Sequence, residues 1–146
     1  MKTRYAMRED LPEVLEMYLA GLEEIKESIV PINEQKCADV VFGSWLRAPC
    51  ILLEKNNEII GFAGLCSYLP AYSDAVVLRE YLFYIKPGMR SIKAAKALSD
   101  AAQAAADELK LPLFMSHMVF DLSVPLKEKF LKKWGYDVIS LEVRYG

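Results

Sequence analysis

The chain has 146 residues, of which 53% are hydrophobic and 26% are charged, and both values are typical of one globular domain. Eighteen Lys and Arg against twenty Asp and Glu give a net charge of -2, so no overall basic character favours nucleic-acid binding. Every apolar stretch is shorter than the roughly 20 residues that cross a bilayer, and the polar start is unlike a secretory leader. We therefore expect one cytoplasmic domain over residues 1–146, with no membrane or nucleic-acid partner.

The cysteine pattern gives the same indication about the compartment. The chain has three cysteines, which are widely spaced and form no Cys-x-x-Cys pair: Cys37, Cys50 and Cys66. An odd number of dispersed cysteines is typical of buried thiols in a reducing compartment. We expect neither a disulfide nor a bound metal.

The first third of the chain predicts a strand and two helices. Residues 3–8 alternate weakly, as in a strand, and Asp10 follows as the expected N-cap of a helix. Apolar residues recur at helical spacing from Leu11 to Ile25, until Pro31 ends the pattern. A second helix is predicted over residues 34–46.

The middle of the chain predicts three strands. Residues 50–54 and 58–65 are rich in strand formers and flank Lys55-Asn56-Asn57, a turn that tolerates positive φ. Gly61 and Gly64 inside the second of these strands indicate a bend or the close approach of another backbone. The longest strand follows over residues 75–85. Even alternation would give it two faces, one with the odd-numbered side chains 77–85 and one with Leu78, Glu80, Leu82 and Tyr84.

The last third predicts a long helix, a strand, a short helix and a final strand. An alanine-rich helix spans residues 91–109, a strand spans 113–118, and a basic helix spans 125–134 before Gly135 ends it. Residues 136–145 alternate as a last strand. The order β-α-α-β-β-β-α-β-α-β predicts one α/β domain with a mixed, mostly antiparallel central sheet flanked by helices.

The segment from Lys86 to Lys96 carries the strongest chemical signal. It contains four cations and no acidic residue, and it joins the longest strand to the N-terminus of the long helix. Cations there are opposed by the helix dipole, whereas the free first-turn N–H groups bind anions, so the pattern predicts a phosphate site. A solvated helix start with scattered lysines is the alternative. Neither GxxxxGK[ST] nor GxGxxG is present, which disfavours nucleotide triphosphatases and dinucleotide dehydrogenases.

Element order and this segment together resemble the GNAT superfamily of acetyl-CoA-dependent N-acetyltransferases. In that family the fourth strand ends in a Val-x-Pro-like step, and a [Gln/Arg]-x-x-Gly-x-[Gly/Ala] loop then holds the CoA pyrophosphate. Ile85 and Pro87 match the strand exit. Arg90 matches the first loop position and Ala95 the last. Lys93 replaces the central glycine, and the loop can still bind an anion because backbone N–H groups do so.

Looser matches extend the resemblance over nearly the whole chain. Residues 4–11 resemble the family's first strand and helix start, and residues 57–64 resemble its second hairpin. Residues 130–136 resemble its Tyr-x-x-x-Gly-Phe stretch.

The resemblance implies an acetyl-CoA site between strands four and five, with acetyl-CoA as co-substrate and no metal. Its pantetheine would pair with the strand-four backbone at Phe83, Tyr84 and Ile85. Its diphosphate would contact the N–H groups of the loop and helix start: Arg90, Ser91, Ile92, Lys93, Ala94 and Ala95. The implied reaction is direct attack of a primary amine, on a small molecule or a peptide, at the thioester. A homodimer is a further family-level expectation.

The implied attack requires a group that takes a proton from the amine. Glu80 lies close to the family's usual glutamate position and is the first candidate, with an ordinary polar strand residue as the alternative. His117, the only histidine, is the second, because an unperturbed pKa of about 6.5 suits proton transfer. A structural histidine is the alternative there. The position of the family's tyrosine acid holds Leu131, so the thiolate leaves unaided or another group donates a proton.

The acceptor and the rival functions remain open in the sequence. Ser67, Tyr68 and Tyr72 lie on the loop before strand four, where an acceptor could be contacted. The acidic residues Glu23, Glu24 and Glu27 either attract a cationic amine or form a solvated helix face. Leu131 and Lys93 favour an alternative, a non-catalytic CoA-binding or protein-interaction module on a degenerate acyltransferase fold. A third, weaker alternative is a nucleic-acid-associated protein that uses the cations of residues 86–96 and of the basic helix over residues 125–134.

Overall fold

A computed structural model describes residues 1–25, 31–116, 118–119 and 123–139. A single turn of 3-10 helix at Arg8–Asp10 precedes the first α-helix. The strands and helices in chain order are β1 (Lys2–Tyr5), α1 (Leu11–Ile25), α2 (Glu34–Trp45), β2 (Cys50–Lys55), β3 (Glu58–Tyr68), β4 (Val77–Ile85), α3 (Ile92–Leu109), β5 (Leu113–Phe114), β6 (Met118–Val119) and α4 (Val124–Lys133).

The described strands form one mixed sheet of the predicted class. Strands β1 to β4 lie side by side in chain order and pair antiparallel, whereas β5 and β6 both pair parallel with β4. A parallel partner for β4 requires a crossover, and α3 supplies it. The strand expected over residues 113–118 is therefore two short pieces that pair with different parts of β4.

Helices cover both faces of this sheet, which gives two cores. Against one face lies α3, whose alanines Ala95 and Ala102 are fully buried and let the helix dock close to Phe83 and Ile85. Against the other face lie α1 and α2, which pack on Phe62, Leu82 and Tyr84 among others. The narrow alanine seam of α3 is what the sequence predicted for this helix.

The β2–β3 hairpin confirms the turn predicted from its asparagines. Asn56 and Asn57 adopt φ angles of 52° and 63°, a left-handed pair that matches the twist of the flanking strands. Gly61 also confirms the expected close approach, because a Cβ there would lie 2.6 Å from the carbonyl oxygen of Tyr84.

Strand β4 carries a β-bulge that breaks the even alternation expected from its sequence. Opposite β3, Gly64 pairs with Leu82 while Leu65 pairs with Glu80, so Tyr81 is an extra residue in β4. A bulge shifts the side-chain alternation beyond it by one position.

The expected faces of β4 are therefore wrong beyond the bulge. Leu78 packs on the α3 side together with the odd-numbered Phe83 and Ile85. Leu82 and Tyr84 pack on the α1 and α2 side instead. The bulge is the physical reason, because two successive residues of β4 oppose one step of β3.

Two local expectations near the chain ends also differ from the structure. Asp10 is not the N-cap of α1: its carboxylate accepts a 2.7 Å hydrogen bond from the Met7 N–H and so closes the 3-10 turn that precedes the helix. Residues 136–139 do not form a strand, and the rest of the expected last strand lies outside the described residues. Gly135 ends the α4 segment at a φ of 93°, as expected.

Candidate active site

The bulge places a tyrosine across the backbone of the neighbouring strand. A Cβ built on Gly64 would lie 2.1 Å from Cζ of Tyr81, so only glycine leaves room for this ring. The ring also packs edge-on against Tyr18, with centroids 5.2 Å apart. Burial is the main cause that raises the pKa of the Tyr81 hydroxyl well above its usual value. Tyr81 therefore stays a neutral phenol that holds the bulge in shape.

Glu80, next to the bulge, is buried and directed towards the chain that follows β5. Its residue exposure is 1%, and its Oε1 accepts a 2.7 Å hydrogen bond from the Ser116 N–H. The Ser116 hydroxyl lies 3.3 Å from the same oxygen and donates to it. A carboxylate at this depth requires such donors, because desolvating it without them would be costly. Glu80 thus occupies the break between the β5 and β6 pairings, inside the sheet.

A cavity of about 590 Å³ opens where Ser116 faces outward. The end of β3 lines it with Tyr68 and the β3–β4 loop with Tyr72. The first half of β4 contributes Val77 and Arg79, and the β5 segment contributes Phe114, Met115 and Ser116. The end of α4 and the chain beyond it complete the wall. This volume is in the range of small-molecule sites. Two of the three predicted acceptor residues therefore lie in its lining, Tyr68 and Tyr72, and Ser67 does not. The predicted loop position is wrong for Ser67 and Tyr68, because both pair with β4 at the end of β3.

Arg79 is the cation of this lining. Its guanidinium lies over the ring of Tyr68, 5.2 Å from the centroid, a distance at which a cation is attracted to an aromatic face. Within the described part of the chain, no carboxylate approaches this guanidinium to ion-pair distance. Arg79 is exposed and lines the cavity.

At the opposite end of β4, the β4–α3 turn (residues 86–91) leads into α3. Gly88 adopts a φ of 81°, and the Met89 N–H donates to the Lys86 carbonyl, which closes a tight reversal. Ser91 is the N-cap of α3: its Oγ accepts from the Ala94 N–H at 3.0 Å, and its carbonyl accepts from the Ala95 N–H at 2.9 Å.

Capping by Ser91 means that some of the six residues predicted to contact the diphosphate have amides already bonded within the protein, whereas others do not. The Ala94 and Ala95 amides already have partners, and both residues are buried. Ile92 and Lys93 are exposed and occupy the first two positions of the helix, where N–H groups have no intrahelical acceptor. The N-terminus of α3 therefore offers an anion the amides of these two residues.

Arg90 is directed away from the helix N-terminus. Its side chain is 9% exposed, its Nε donates to the Ile85 carbonyl at 2.6 Å, and its Nη2 lies 2.5 Å from an oxygen of Glu24 in α1. The guanidinium also covers the ring of Tyr84, 5.5 Å from the centroid. Arg90 thus connects the β4–α3 turn to α1. The position of Glu24 is explained better by this ion pair than by the attraction of a cationic amine.

The remaining cations of this segment differ in how they are paired. Lys86 Nζ lies 2.8 Å from Glu13 of α1, and Lys96 pairs with Asp100 one turn along α3. Lys93 forms no ion pair with any described residue and lies beside the exposed amides. The residue that replaces the family's glycine is therefore the cation most available to an anion at this helix end.

The three predicted pantetheine contacts lie in the buried end of β4. Phe83, Tyr84 and Ile85 have exposures of 0%, 3% and 0%. Strand β6 pairs with β4 there, with Phe83 opposite Met118 and Tyr84 opposite Val119. The edge of β4 that would meet the pantetheine is therefore paired with two residues of the protein's own chain.

Leu131, which stands at the position of the family's tyrosine acid, lines the cavity and has no group that could donate a proton. The Tyr136 hydroxyl is hydrogen-bonded to Ser99 Oγ at 2.9 Å and donates to Met115 Sδ at 3.2 Å, and burial raises its pKa. Tyr136 thus packs against Ser99 and Met115. His117 and Glu27 lie outside the described residues.

Two features are absent from the residues that the structure describes. No helix among them is long and apolar enough to cross a membrane. No group of three or more His, Cys, Asp or Glu among them has the arrangement of a metal site.

Comparison with known proteins identifies the fold. No protein-family model matches the chain, and no curated protein matches its sequence. A predicted acetyltransferase from Clostridium acetobutylicum, solved with acetyl-CoA, superposes with a TM-score of 0.71 at 18% identity and covers 99% of this chain and 95% of that one. An aminoglycoside antibiotic 6'-N-acetyltransferase from Acinetobacter haemolyticus gives 0.66 at 14% identity, with coverages of 100% and 97%.

A third structure extends this comparison. AAC(6')-Iy, in complex with the bisubstrate analogue CoA-S-monomethyl-acetylneamine, gives a TM-score of 0.68 at 13% identity and covers 99% of this chain and 96% of that one. These similarities span essentially the whole of each chain. The chain therefore has the fold of the GNAT acetyltransferases, as its motifs predicted.

Sequence reasoning missed Ser116 and Arg79 as site residues. Ser116 directly precedes His117, which was the predicted candidate. The sequence predicted an uninterrupted strand over residues 113–118, so the break that contains Ser116 was not expected. Arg79 had a visible signal, an arginine near the start of a largely apolar strand. Its neighbours Tyr68 and Phe114 come from distant parts of the sequence, so the cavity itself had none.

Proposed function

We propose that this chain is an acetyl-CoA-dependent N-acetyltransferase that acetylates a primary amine. The observation that carries the proposal is the fold, shared over almost the full chain with acetyltransferases that include one solved with acetyl-CoA and one with a CoA bisubstrate analogue. The bulged strand and the exposed α3 N-terminus support it, since they are local features that a fold match alone does not require. The unpaired cysteines favour a reducing compartment, hence the cytoplasm.

The donor site in this proposal lies along the second half of β4. The diphosphate binds the N–H groups of Ile92 and Lys93, with the Lys93 ammonium and the helix dipole adding attraction. The Ala94 amide joins them if Ser91 Oγ turns away from it. The Arg90 guanidinium contributes indirectly, because its bonds to the Ile85 carbonyl and Glu24 fix the position of the turn.

Binding of pantetheine at Phe83 to Ile85 requires a change next to β4. Strand β6 pairs with two residues of this edge, so the pantetheine amides and β6 compete for the same backbone groups. We propose that the two residues of β6 separate from β4 when acetyl-CoA binds. The described part of β6 pairs only two of its residues with β4, so few of the described strand pairings are lost when it separates.

The reaction forms one bond and breaks one. The nitrogen lone pair of the neutral amine attacks the thioester carbonyl, the C–N bond forms, the C–S bond breaks, and its electron pair leaves on sulfur. The proton lost by nitrogen passes to the Ser116 hydroxyl, which passes its own to Glu80, since these oxygens are 3.3 Å apart. The proton ultimately protonates the CoA thiolate or solvent. Glu80 therefore acts through Ser116 and does not touch the acceptor.

A second candidate function is a CoA-binding module without turnover. The specific observation in its favour is Leu131, which leaves the cavity wall without the family's proton donor. Pairing of β6 along the donor edge is consistent with it as well.

The two candidates are separated by binding and turnover measured on one protein. Thermal shift with acetyl-CoA, CoA and ATP tests the donor site, because a ligand at a hundred times its dissociation constant stabilises by about 2.7 kcal/mol. Release of CoA thiol across a panel of amines tests turnover. We expect acetyl-CoA and CoA, but not ATP, to raise the Tm, and at least one amine to release thiol. Stabilisation without thiol release on any amine would favour the module, and no stabilisation would refute both.

A further inference from the structure

The cavity beside Ser116 has a composition that restricts what it can hold. Twelve of the sixteen described lining residues are aromatic, aliphatic or thioether-bearing, and a thirteenth is glycine. The other three are Arg79, Ser116 and Asp137. The described part of the lining thus carries one cation and one anion. A polycation would meet a single carboxylate among these residues, and a small polar molecule would leave most of this wall in contact with water.

The position of Arg79 makes it a recognition group. It belongs to β4 and pairs in register with Phe114 of β5, so its backbone is fixed in the sheet while its guanidinium stays exposed. Tyr68 supports the guanidinium from one side, and no described carboxylate neutralises it. A planar guanidinium with free donors binds carboxylates in a two-pronged geometry.

Ser116 sets where the reacting nitrogen must lie. It lines the cavity and its hydroxyl donates to the buried Glu80, so it connects the cavity to the proton acceptor. It follows Phe114 by two residues, and Phe114 is in register with Arg79, so the carboxylate-binding group and the proton relay lie on neighbouring parts of one wall. An acceptor that meets both groups has its amine and its carboxylate close together.

We infer that the acceptor is an amine that also carries a carboxylate and an apolar or aromatic body, that is, a hydrophobic amino acid. Its carboxylate binds Arg79, its side chain lies against the aromatic and aliphatic wall, and its amino group is directed towards Ser116. Asp137 attracts the ammonium form on entry, before the amine is deprotonated. The acetyl group moves to the amino nitrogen as written above, and the products are the N-acetyl amino acid and CoA. This inference rests on the proposed function.

A set of matched amines tests the recognition chemistry. L-phenylalanine has all three features, phenethylamine lacks the carboxylate, glycine lacks the body, and spermidine is a polycation. With acetyl-CoA saturating, we expect kcat/KM for thiol release to be largest for phenylalanine. Loss of a charge-assisted pair of hydrogen bonds predicts a value about 10- to 100-fold lower for phenethylamine.

A pair of arginine variants locates this preference. Arg79→Gln should lower kcat/KM for phenylalanine far more than for phenethylamine, so that the difference between the two amines disappears. Arg47→Gln removes the same charge from an exposed turn outside the lining, so it should retain the wild-type preference. Equal rates for phenylalanine and phenethylamine, faster turnover of spermidine, or an equal effect of Arg79→Gln on both aromatic amines would overturn the inference and leave acetyl transfer standing.

A binding measurement keeps this test separate from the proposed function. 3-Phenylpropionate has the carboxylate and the body but no amine, so it should raise the Tm of the wild type and not of Arg79→Gln, whether or not the protein turns over. Failure of acetyl-CoA to bind would refute the proposed function. Stabilisation of both proteins by 3-phenylpropionate, or of neither, would refute the assignment of Arg79 as the carboxylate group.

Discussion

The two ends of β4 differ in how much of their chemistry is already satisfied. At the α3 end, two cations and two helix amides already have partners within the protein. Arg90 pairs with Glu24 and the Ile85 carbonyl, Lys86 pairs with Glu13, and the two amides donate to Ser91. At the β5 end, Arg79 has an aromatic neighbour and no described counter-ion, and it lies in a cavity of about 590 Å³. One strand thus joins a turn that is held by internal contacts to an open cavity.

This difference suits a protein that binds one constant ligand and one specific ligand. A turn whose groups are fixed before binding loses little entropy when an anion arrives, so it can bind the common part of a donor. A cavity walled by loops and short strands can differ widely between proteins of one fold, and specificity is expected there. Glu80 and the bulge lie between the two ends, where the proposed function brings donor and acceptor together.

The largest expected effect comes from the group between the ends. Glu80→Gln keeps an oxygen for the Ser116 N–H and cannot take a proton, so kcat/KM for acetyl transfer should fall about 10²- to 10⁴-fold. CoA affinity should stay unchanged, because the substitution lies away from the β4–α3 turn. The rate of the variant should also recover at high pH, where solvent supplies free amine.

Ser116→Ala is the companion of this variant. It keeps the backbone donor to Glu80 and removes the hydroxyl, so a smaller loss of rate is expected. A Glu80→Gln protein with the wild-type rate and pH profile would exclude Glu80 from proton transfer.

The next effect tests whether the bulge holds the middle of β4 in shape. Gly64→Ala places a Cβ 2.1 Å from the Tyr81 ring, and overpacking of this kind destabilises by about 1–3 kcal/mol. Gly43→Ala is the matched control: a Cβ there meets nothing within 4 Å, and in the helix α2 it should stabilise by up to about 1 kcal/mol. Urea unfolding measures both. Equal effects would show that Tyr81 does not need the glycine.

A smaller effect tests the connection between the β4–α3 turn and α1. A double-mutant cycle of Arg90→Gln and Glu24→Gln should give a coupling energy of about 1 kcal/mol, because Glu24 is partly exposed and water screens the pair. The control cycle uses Lys96 and Asp100, an exposed pair one helical turn apart, where about 0.3–0.5 kcal/mol is expected. Equal coupling energies for the two pairs would show that the burial of Arg90 does not strengthen its interaction with Glu24, and that this pair does not hold the turn.

The smallest effect lies at the sheet edge remote from both ends. Arg4 donates to Asp10 and Glu54, and these hydrogen bonds are the main cause that lowers the pKa of each carboxyl. Groups with a lowered pKa in the folded state stabilise it above their unfolded pKa, and that contribution disappears as pH falls through the folded pKa. The urea midpoint should therefore decline below about pH 4, the usual range of these carboxyls.

Arg4→Gln provides the control for this decline. Without the guanidinium the two carboxyls titrate closer to their usual range, so the variant should be less stable at pH 7 and lose less between pH 5 and pH 3. A wild type and a variant with parallel midpoint curves would show that Arg4 does not set these pKa values.

Much of the fold could be predicted because its signals are local. The Asn56–Asn57 turn, the alanine seam of α3 and the Ser91 start of that helix depend on residues adjacent in sequence or on one face of a helix. The bulge at Tyr81 could not be placed, because it depends on which residue of β3 stands opposite which of β4. The break after Phe114 in the strand predicted over residues 113–118 could not be placed for the same reason, because its two pieces pair with two separate parts of β4.

The site follows the same division. The cations and the helix start of residues 86–96 could be located from the sequence because they are contiguous in the chain, and phosphate binding there stays a prediction. The role of Arg90 could not, because its partner Glu24 is 66 residues away. The cavity joins the end of β3, the β3–β4 loop, β4, β5 and the end of α4, so neither its volume nor the composition of its described lining has a sequence signal.

The central claim is that the N-terminus of α3 binds the diphosphate of CoA through main-chain amides. Ile92→Pro tests it most directly, because proline is accommodated at the first helical position and Ser91 already has an extended backbone, so the helix remains and one N–H is lost. Ile92→Ala, which keeps the N–H, is the control. Calorimetry should find CoA bound about tenfold more weakly by the proline variant than by the alanine variant, with pantetheine, which lacks the diphosphate, bound equally by both. Equal CoA affinities for the two variants would contradict the claim.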